Sequence, residues 1–268
     1  MHKMRSLFAV PYALWLLLFV FAPVVLILGY SFMDINGHFT LANYQAFFSS
    51  SNYLLLTLNS FWYALLITAS TLLLGYPAAY FLTRLKHRDF WLLLVILPTW
   101  ISLLLKAYAF IGIFGIHGGV NQFLNLFGIP AKQILFTNFS FVFVSAYIEL
   151  PFMIMPIYNS LVEIDQSLVF ASYDLGANKR QTFTKVIWPL SLSGVNSGIQ
   201  AIFIPSLSLF MLTRLIGGNR VITLGTAIEE HFLITQNWGM GATIGVVLII
   251  VMLLVMSLTR ERKGDGSR

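Results

Sequence analysis

The chain has 268 residues, of which 58% are apolar and only 10% charged, with no cysteine and a formal net charge of +6. Soluble globular domains run to about 45–50% apolar and about 25% charged, so a water-exposed globular class is excluded and lipid is the solvent that fits. The missing cysteines exclude disulfides and thiolate-held metal. A basic balance suits nucleic acid, but in a membrane chain it marks cytoplasmic loops, and no nucleic-acid partner is expected.

At about 20 residues per crossing, six segments are long and apolar enough to span: 8–30, 56–82, 90–114, 138–161, 191–213 and 237–258. Lys3 and Arg5 precede the first, and the run from Phe8 to Tyr30 is too long for a signal-peptide core, so it reads as a retained helix. Asp34 to His38 breaks the chain after span one, Arg84 to Asp89 after span two, and His117 to Asn121 after span three. The expected fold is all-α, a polytopic membrane protein whose residues 1–268 form a single transmembrane domain.

Counting Lys and Arg orients the chain. With both termini inside, Lys3, Arg5, Arg84, Lys86, Arg88, Lys179, Arg180, Lys185, Arg260, Arg262, Lys263 and Arg268 are cytoplasmic, leaving Lys132, Arg214 and Arg220 outside and Lys106 within span three. That asymmetry predicts N-in, C-in. Trp62, Trp91 and Trp238 fall near predicted ends, where interfacial aromatics anchor. Pro23, Pro77, Pro98, Pro151, Pro156 and Pro205 fall inside spans and predict kinks.

The connection between spans four and five, Val162 to Leu190, carries its own pattern. Asp165 or Ser167 can cap a helix, whose Leu168, Ala171, Ser172 and Leu175 form one small, mostly apolar face. Gly176 is placed to end that helix in a left-handed turn. Asn178 can cap a second, with Phe183, Val186 and Ile187 on one stripe that stops before Pro189. Such a knob suits either a docking protein or an amphipathic pair lying on lipid headgroups.

The run Ala171-Ser172-Tyr173-Asp174-Leu175-Gly176-Ala177, with Ile187, Pro189 and Leu190 following, resembles the EAA loop of bacterial ABC importer permeases. It departs at Phe170, where that family has glutamate, and at Ser172, usually alanine. Leu97-Pro98-Thr99-Trp100, Lys106 to Phe110, Val120 to Leu124, Leu150 to Pro156 and Asn43-Tyr44 are similar to the spermidine/putrescine branch, most of all its B-type permeases. The resemblance implies a type I importer permease in the bacterial inner membrane. Its partners would be two copies of an ATPase subunit, a second homologous permease and an extracytoplasmic solute-binding protein. Ala171, Ser172, Asp174, Leu175, Gly176, Ala177 and Pro189 would couple it to the ATPase. No phosphate-binding G-x-x-x-x-G-K-[ST] occurs, so ATP hydrolysis is expected in a partner, with no cofactor, metal or catalytic residue here.

Glu149 falls near the middle of span four and Lys106 in span three. A charge there costs at least about 2.5–3.5 kcal/mol on insertion scales and needs a partner or a cavity. The two either pair and join their helices, or Glu149 meets an ammonium of a passing polyamine, with Trp100, Tyr108 and Tyr147 as cation–π partners. Glu229 and Glu230 belong to the last outer loop. The competing readings are an ABC permease for another small solute, a self-contained carrier or channel, and a membrane enzyme. Scattered His2, His38, His87, His117 and His231 speak against the last.

Overall fold

The computed structural model describes residues 10–259. Lys3, Arg5, Arg260, Arg262, Lys263 and Arg268, which contribute to the orientation count, lie outside these. Hydrocarbon offers the backbone no hydrogen bonds, so apolar spans satisfy themselves as helices. In chain order these are α1 (Val10–Ser31), α2 (Ala42–Ser49), α3 (Ser51–Leu82), α4 (Arg88–Ile96), α5 (Leu103–Phe114), α6 (Gly119–Leu126), α7 (Asn138–Val162), α8 (Gln166–Asp174), α9 (Lys179–Leu190), α10 (Leu192–Ser206), α11 (Met211–Leu215), α12 (Leu224–Glu229) and α13 (Trp238–Thr259). One isolated bridge, Met33 to Phe39, is the β-type pairing among the described residues.

Five helices are long and apolar enough to cross a membrane, six when α9 and α10, bent by 57°, count as one. Spans one, two, four and six fall where the sequence places them. Two differ. The expected 90–114 helix is broken: α4 passes into a 3-10 turn at Leu97–Trp100, Ile101 and Ser102 are extended, and α5 begins at Leu103. The stretch passing the length test there is Leu103–Leu126. The expected 191–213 span ends at Ser206, and its other part is α9 beyond the bend.

The prolines do not act alike. α3 continues through Pro77 and α7 through Pro151 and Pro156, whereas Pro98 sits in the 3-10 turn where span three breaks. Pro23 and Pro189 each follow a π turn, Leu17–Phe21 and Phe183–Ile187, closed by Ala22 N–H to the Leu17 carbonyl and Trp188 N–H to the Phe183 carbonyl. A proline ring clashes with the carbonyl four residues back, and the wider turn moves that carbonyl aside. So the helix expected to stop before Pro189 runs through it.

α7 is the central helix, flanked by α3 and α10. Glycines set this spacing, as small residues do between membrane helices. A Cβ on Gly75 would lie 2.9 Å from Met153 Cγ, and one on Gly194 2.5 Å from the Pro156 carbonyl oxygen. α13 packs on α1 and α2, where Thr243 Oγ1 donates to the Ser31 carbonyl at 3.1 Å. Asn43 and Tyr44 fasten the end of α1: Asn43 Nδ2 donates to the Met33 carbonyl at 2.8 Å and the Tyr44 hydroxyl to Ser31 Oγ at 2.8 Å. Asn121, placed by the sequence in a loop, is helical and buried, and bridges the carbonyls of Gly115 and Lys132 at 3.0 Å each.

Candidate functional site: a helical knob and the intramembrane charges

The knob forms from its local signals. Asp165, not Ser167, caps α8: its carboxylate accepts the Ser167 N–H at 2.9 Å, and that bond holds the carboxyl below its ordinary range. Gly176 sits at φ +80°. The Ala177 N–H reaches the Ser172 carbonyl at 3.0 Å and the Gly176 N–H the Tyr173 carbonyl at 2.8 Å, the paired bonds of a Schellman turn. Asn178 and Gln181 cap α9 reciprocally at 2.9 Å. The Ser172 hydroxyl, which stands where the resembled pattern has alanine, meets the Thr182 hydroxyl at 2.9 Å and ties the two legs together.

The apolar face of α8 is unpartnered. Leu175 at the turn is 90% exposed and Leu168 on the same face is exposed, while Phe170, 63% exposed, and Tyr173 are exposed on the other side of the helix. Ala171 and Asp174 share this open surface, and Pro189 is exposed on α9. An exposed apolar face running from Leu168 past Ala171 to Leu175 suits an interaction site.

The other leg is anchored. Phe183 packs edge-on against Tyr76 and Tyr80, with ring centroids 5.9 and 5.4 Å away, and Trp188 lies 4.8 Å from Tyr76. The buried Tyr76 hydroxyl meets Ser191 Oγ at 2.9 Å where α9 bends into α10. Of these four aromatic residues, Phe183 alone was singled out from sequence, on the stripe of the second knob helix. The signal for Tyr76 and Tyr80 was their i, i+4 spacing, hidden in a chain that is 15% aromatic.

The intramembrane charges are arranged differently from a direct pair. Lys106 on α5 and Glu149 on α7 are both half-buried. They stand within electrostatic range of each other, yet no nitrogen–oxygen contact within 4.0 Å joins them. The ion pairs among the described residues are His38–Asp34, Arg88–Asp89 and Arg214–Glu229. Trp100, 78% exposed, lies in the 3-10 turn, and Tyr108 is exposed on α5. Tyr147 packs edge-on against Phe110 at 5.1 Å and lines an apolar groove of about 370 Å³ with Leu73, Leu74 and Phe143. Two residues apart on a helix, Tyr147 and Glu149 point about 200° apart.

At the end of the molecule opposite the knob, Arg214 Nε lies 2.9 Å from Glu229 Oε2, whose side chain is 16% exposed. The contact is an ion pair rather than an aligned hydrogen bond. Glu230 lines a cavity of about 360 Å³ with Arg214 and Thr226. His231 Nε2 meets the Tyr53 hydroxyl at 2.9 Å. Burial pushes the His231 imidazole pKa down, against a smaller upward effect of Glu230.

The whole architecture has a counterpart. Over 97% of this chain and 96% of the other, it superposes with a TM-score of 0.73 on a chain of a bacterial ABC transporter involved in the import of the acidic polysaccharide alginate, at 17% identity. A second structure, the alginate ABC transporter in complex with an alginate pentasaccharide-bound periplasmic protein, matches with the same score over 96% and 92%. The fold is that of an ABC importer permease. No family model matches the chain. It is 36% identical, over 90% of its length and 91% of the other's, to the spermidine/putrescine transport system permease protein PotB of Escherichia coli (strain K12). It is 33% identical over 90% and 88% to PotB of Haemophilus influenzae, and 30% identical over 85% and 78% to the E. coli inner membrane ABC transporter permease protein YdcU. The chain belongs to the PotB family of ABC transporter permeases; it is a membrane-spanning permease subunit and not the ATPase of its transporter.

Proposed function

We propose that this chain carries polyamines, spermidine or putrescine, into the cytoplasm as one half of the membrane pore of an ATP-driven importer. The substrate class is taken from the PotB relatives. The partners are a solute-binding protein outside, a second homologous permease, and two ATPase subunits inside that bind the nucleotide. The knob faces the cytoplasm: Arg84, Lys86 and Arg88 share its end of the molecule with Lys179, Arg180 and Lys185, whereas Lys132, Arg214 and Arg220 belong to the other. Basic residues concentrate on the cytoplasmic side.

The single observation that carries the coupling role is the unpartnered α8 surface around Leu175, held by the Schellman turn and joined through α9 to α3. Closure of the ATPases pushes on Ala171, Ser172, Asp174, Leu175, Gly176 and Ala177, and the bend near Pro189 passes that movement to α10. Phe170, in place of glutamate, makes the contact apolar rather than ionic. Glu149 faces the cation path, and Lys106 stands within range to balance it when the path is empty. Trp100 and Tyr108 complete a lumen whose opposite wall is the second permease, whereas Tyr147, turned about 200° from Glu149 on α7, belongs to the apolar groove.

The test uses the absence of cysteine. A Leu175→Cys chain in the assembled transporter should cross-link to the ATPase subunit and be labelled by impermeant maleimide only from the cytoplasmic side. Labelling from outside would overturn the orientation, and labelling from inside without any cross-link would overturn the docking.

A further inference from the structure

A cavity of about 290 Å³ opens beside the knob, where the ends of α3 and α7 meet the starts of α4 and α8. Tyr80 and Arg84 line it from α3 and its end, Arg88 from α4, Gln166 and Val169 from α8, with Leu161 in its apolar wall. The lining holds two arginines and no carboxylate. Arg84 takes part in none of the ion pairs among the described residues, and Arg88 has only Asp89, 3.9 Å away between two exposed side chains. Exposed pairs of that kind contribute little. The Arg84 guanidinium is nevertheless placed: its Cζ lies 4.1 Å from the Tyr80 ring centroid and it donates to the Tyr80 hydroxyl. A planar fork held in this way matches the oxygens of a phosphate.

We propose that this cavity binds the phosphate of an anionic phospholipid of the inner leaflet. Phe81, Phe90 and Trp91 are exposed on the flanking helix ends, where aromatic residues sit at headgroup level and the acyl chains can lie along them. Basic pockets between membrane helices on the cytoplasmic side take such headgroups. The site connects the ends of two spans to the first turn of the knob, so an occupied pocket stiffens the joint through which the proposed coupling acts. The sidedness rests on the orientation proposed above.

The test is native mass spectrometry of the assembled transporter in nanodiscs, comparing phosphatidylglycerol with phosphatidylcholine. The expected result is phosphatidylglycerol retained on this chain and weakened about fivefold for each arginine removed, so about 25-fold in an Arg84→Gln/Arg88→Gln variant. Gln166→Glu guards against misfolding: a carboxylate in the first turn of α8 suits the helix while repelling an anion, and should also lower retention. Phosphatidylglycerol held equally by wild type and both variants would overturn the site. Displacement by inorganic phosphate or glycerol phosphate, at equal affinity in phosphatidylcholine discs, would assign the pocket to a soluble phosphate instead. Loss of the ATPase subunit from the variants, with lipid retention unchanged, would assign the arginines to an acidic protein surface. Nanodiscs expose both leaflets, so these outcomes stand apart from the orientation, which the Leu175→Cys labelling decides.

Discussion

The hydroxyls of Tyr76 and Ser191 meet at 2.9 Å, buried where α3 passes the bend between α9 and α10. Beside them Trp188 and Phe183 pack on the same tyrosine. One leg of the knob is therefore locked to a span, while the other leg presents open apolar surface. Force applied at Leu175 has a rigid route into the membrane.

Tyr76→Phe removes that hydrogen bond and keeps the ring. The loss should be about 0.5–1.5 kcal/mol of stability, seen as a lower unfolding midpoint. If the joint transmits coupling, spermidine moved per ATP hydrolysed should fall in proteoliposomes while hydrolysis persists. An unchanged ratio would confine this contact to stability.

Gly176 lies at φ +80°, a region that costs a non-glycine residue about 1–3 kcal/mol. Asparagine is the residue that tolerates it best. Gly176→Val should leave membrane insertion intact and abolish ATP-driven uptake, with Gly176→Asn retaining most of it. Equal uptake by both would show that the turn's shape does not matter.

Gly194 is a different kind of glycine. Its Cβ would meet the Pro156 carbonyl oxygen at 2.5 Å and Ser160 Cβ at 2.6 Å, and backbone cannot move aside. Gly194→Ala should destabilise by about 1–3 kcal/mol, as overpacking does. Thermal unfolding followed by tryptophan fluorescence measures it.

The His231 imidazole is pushed below its ordinary pKa by burial. Its neutral form is therefore favoured in the folded state, and that stability is present above the unfolded value of about 6.5 and lost as pH falls below it toward the folded pKa. Unfolding midpoints should drop as pH falls below about 6.5, and His231→Gln should flatten part of that slope. An identical slope in the variant would remove His231 from the acid response.

The fold was largely legible because lipid imposes one simple demand, long apolar helices, and the knob because its signals are local: Asp165, Gly176 and Asn178 each act within a few residues. What escaped depends on distant or compensating geometry. Pro98 and Pro151 look alike in sequence, yet span three breaks at one and α7 runs through the other. Pro189 does not end its helix because a π turn widens ahead of it. Tyr76 and Ser191 are 115 positions apart, and no periodicity connects them. The candidate path residues were found by type, but Tyr147 and Glu149 face different ways on α7, so one chain alone does not assemble them.

We propose that this permease moves polyamine only as part of an ATP-driven assembly. Spermidine uptake into proteoliposomes, with the ATPase, second permease and binding protein each omitted in turn, tests it most directly. Uptake that requires ATP and every partner, and that falls in Glu149→Gln, is the result expected. Uptake by this chain alone, or none by a complete complex that hydrolyses ATP, would contradict it.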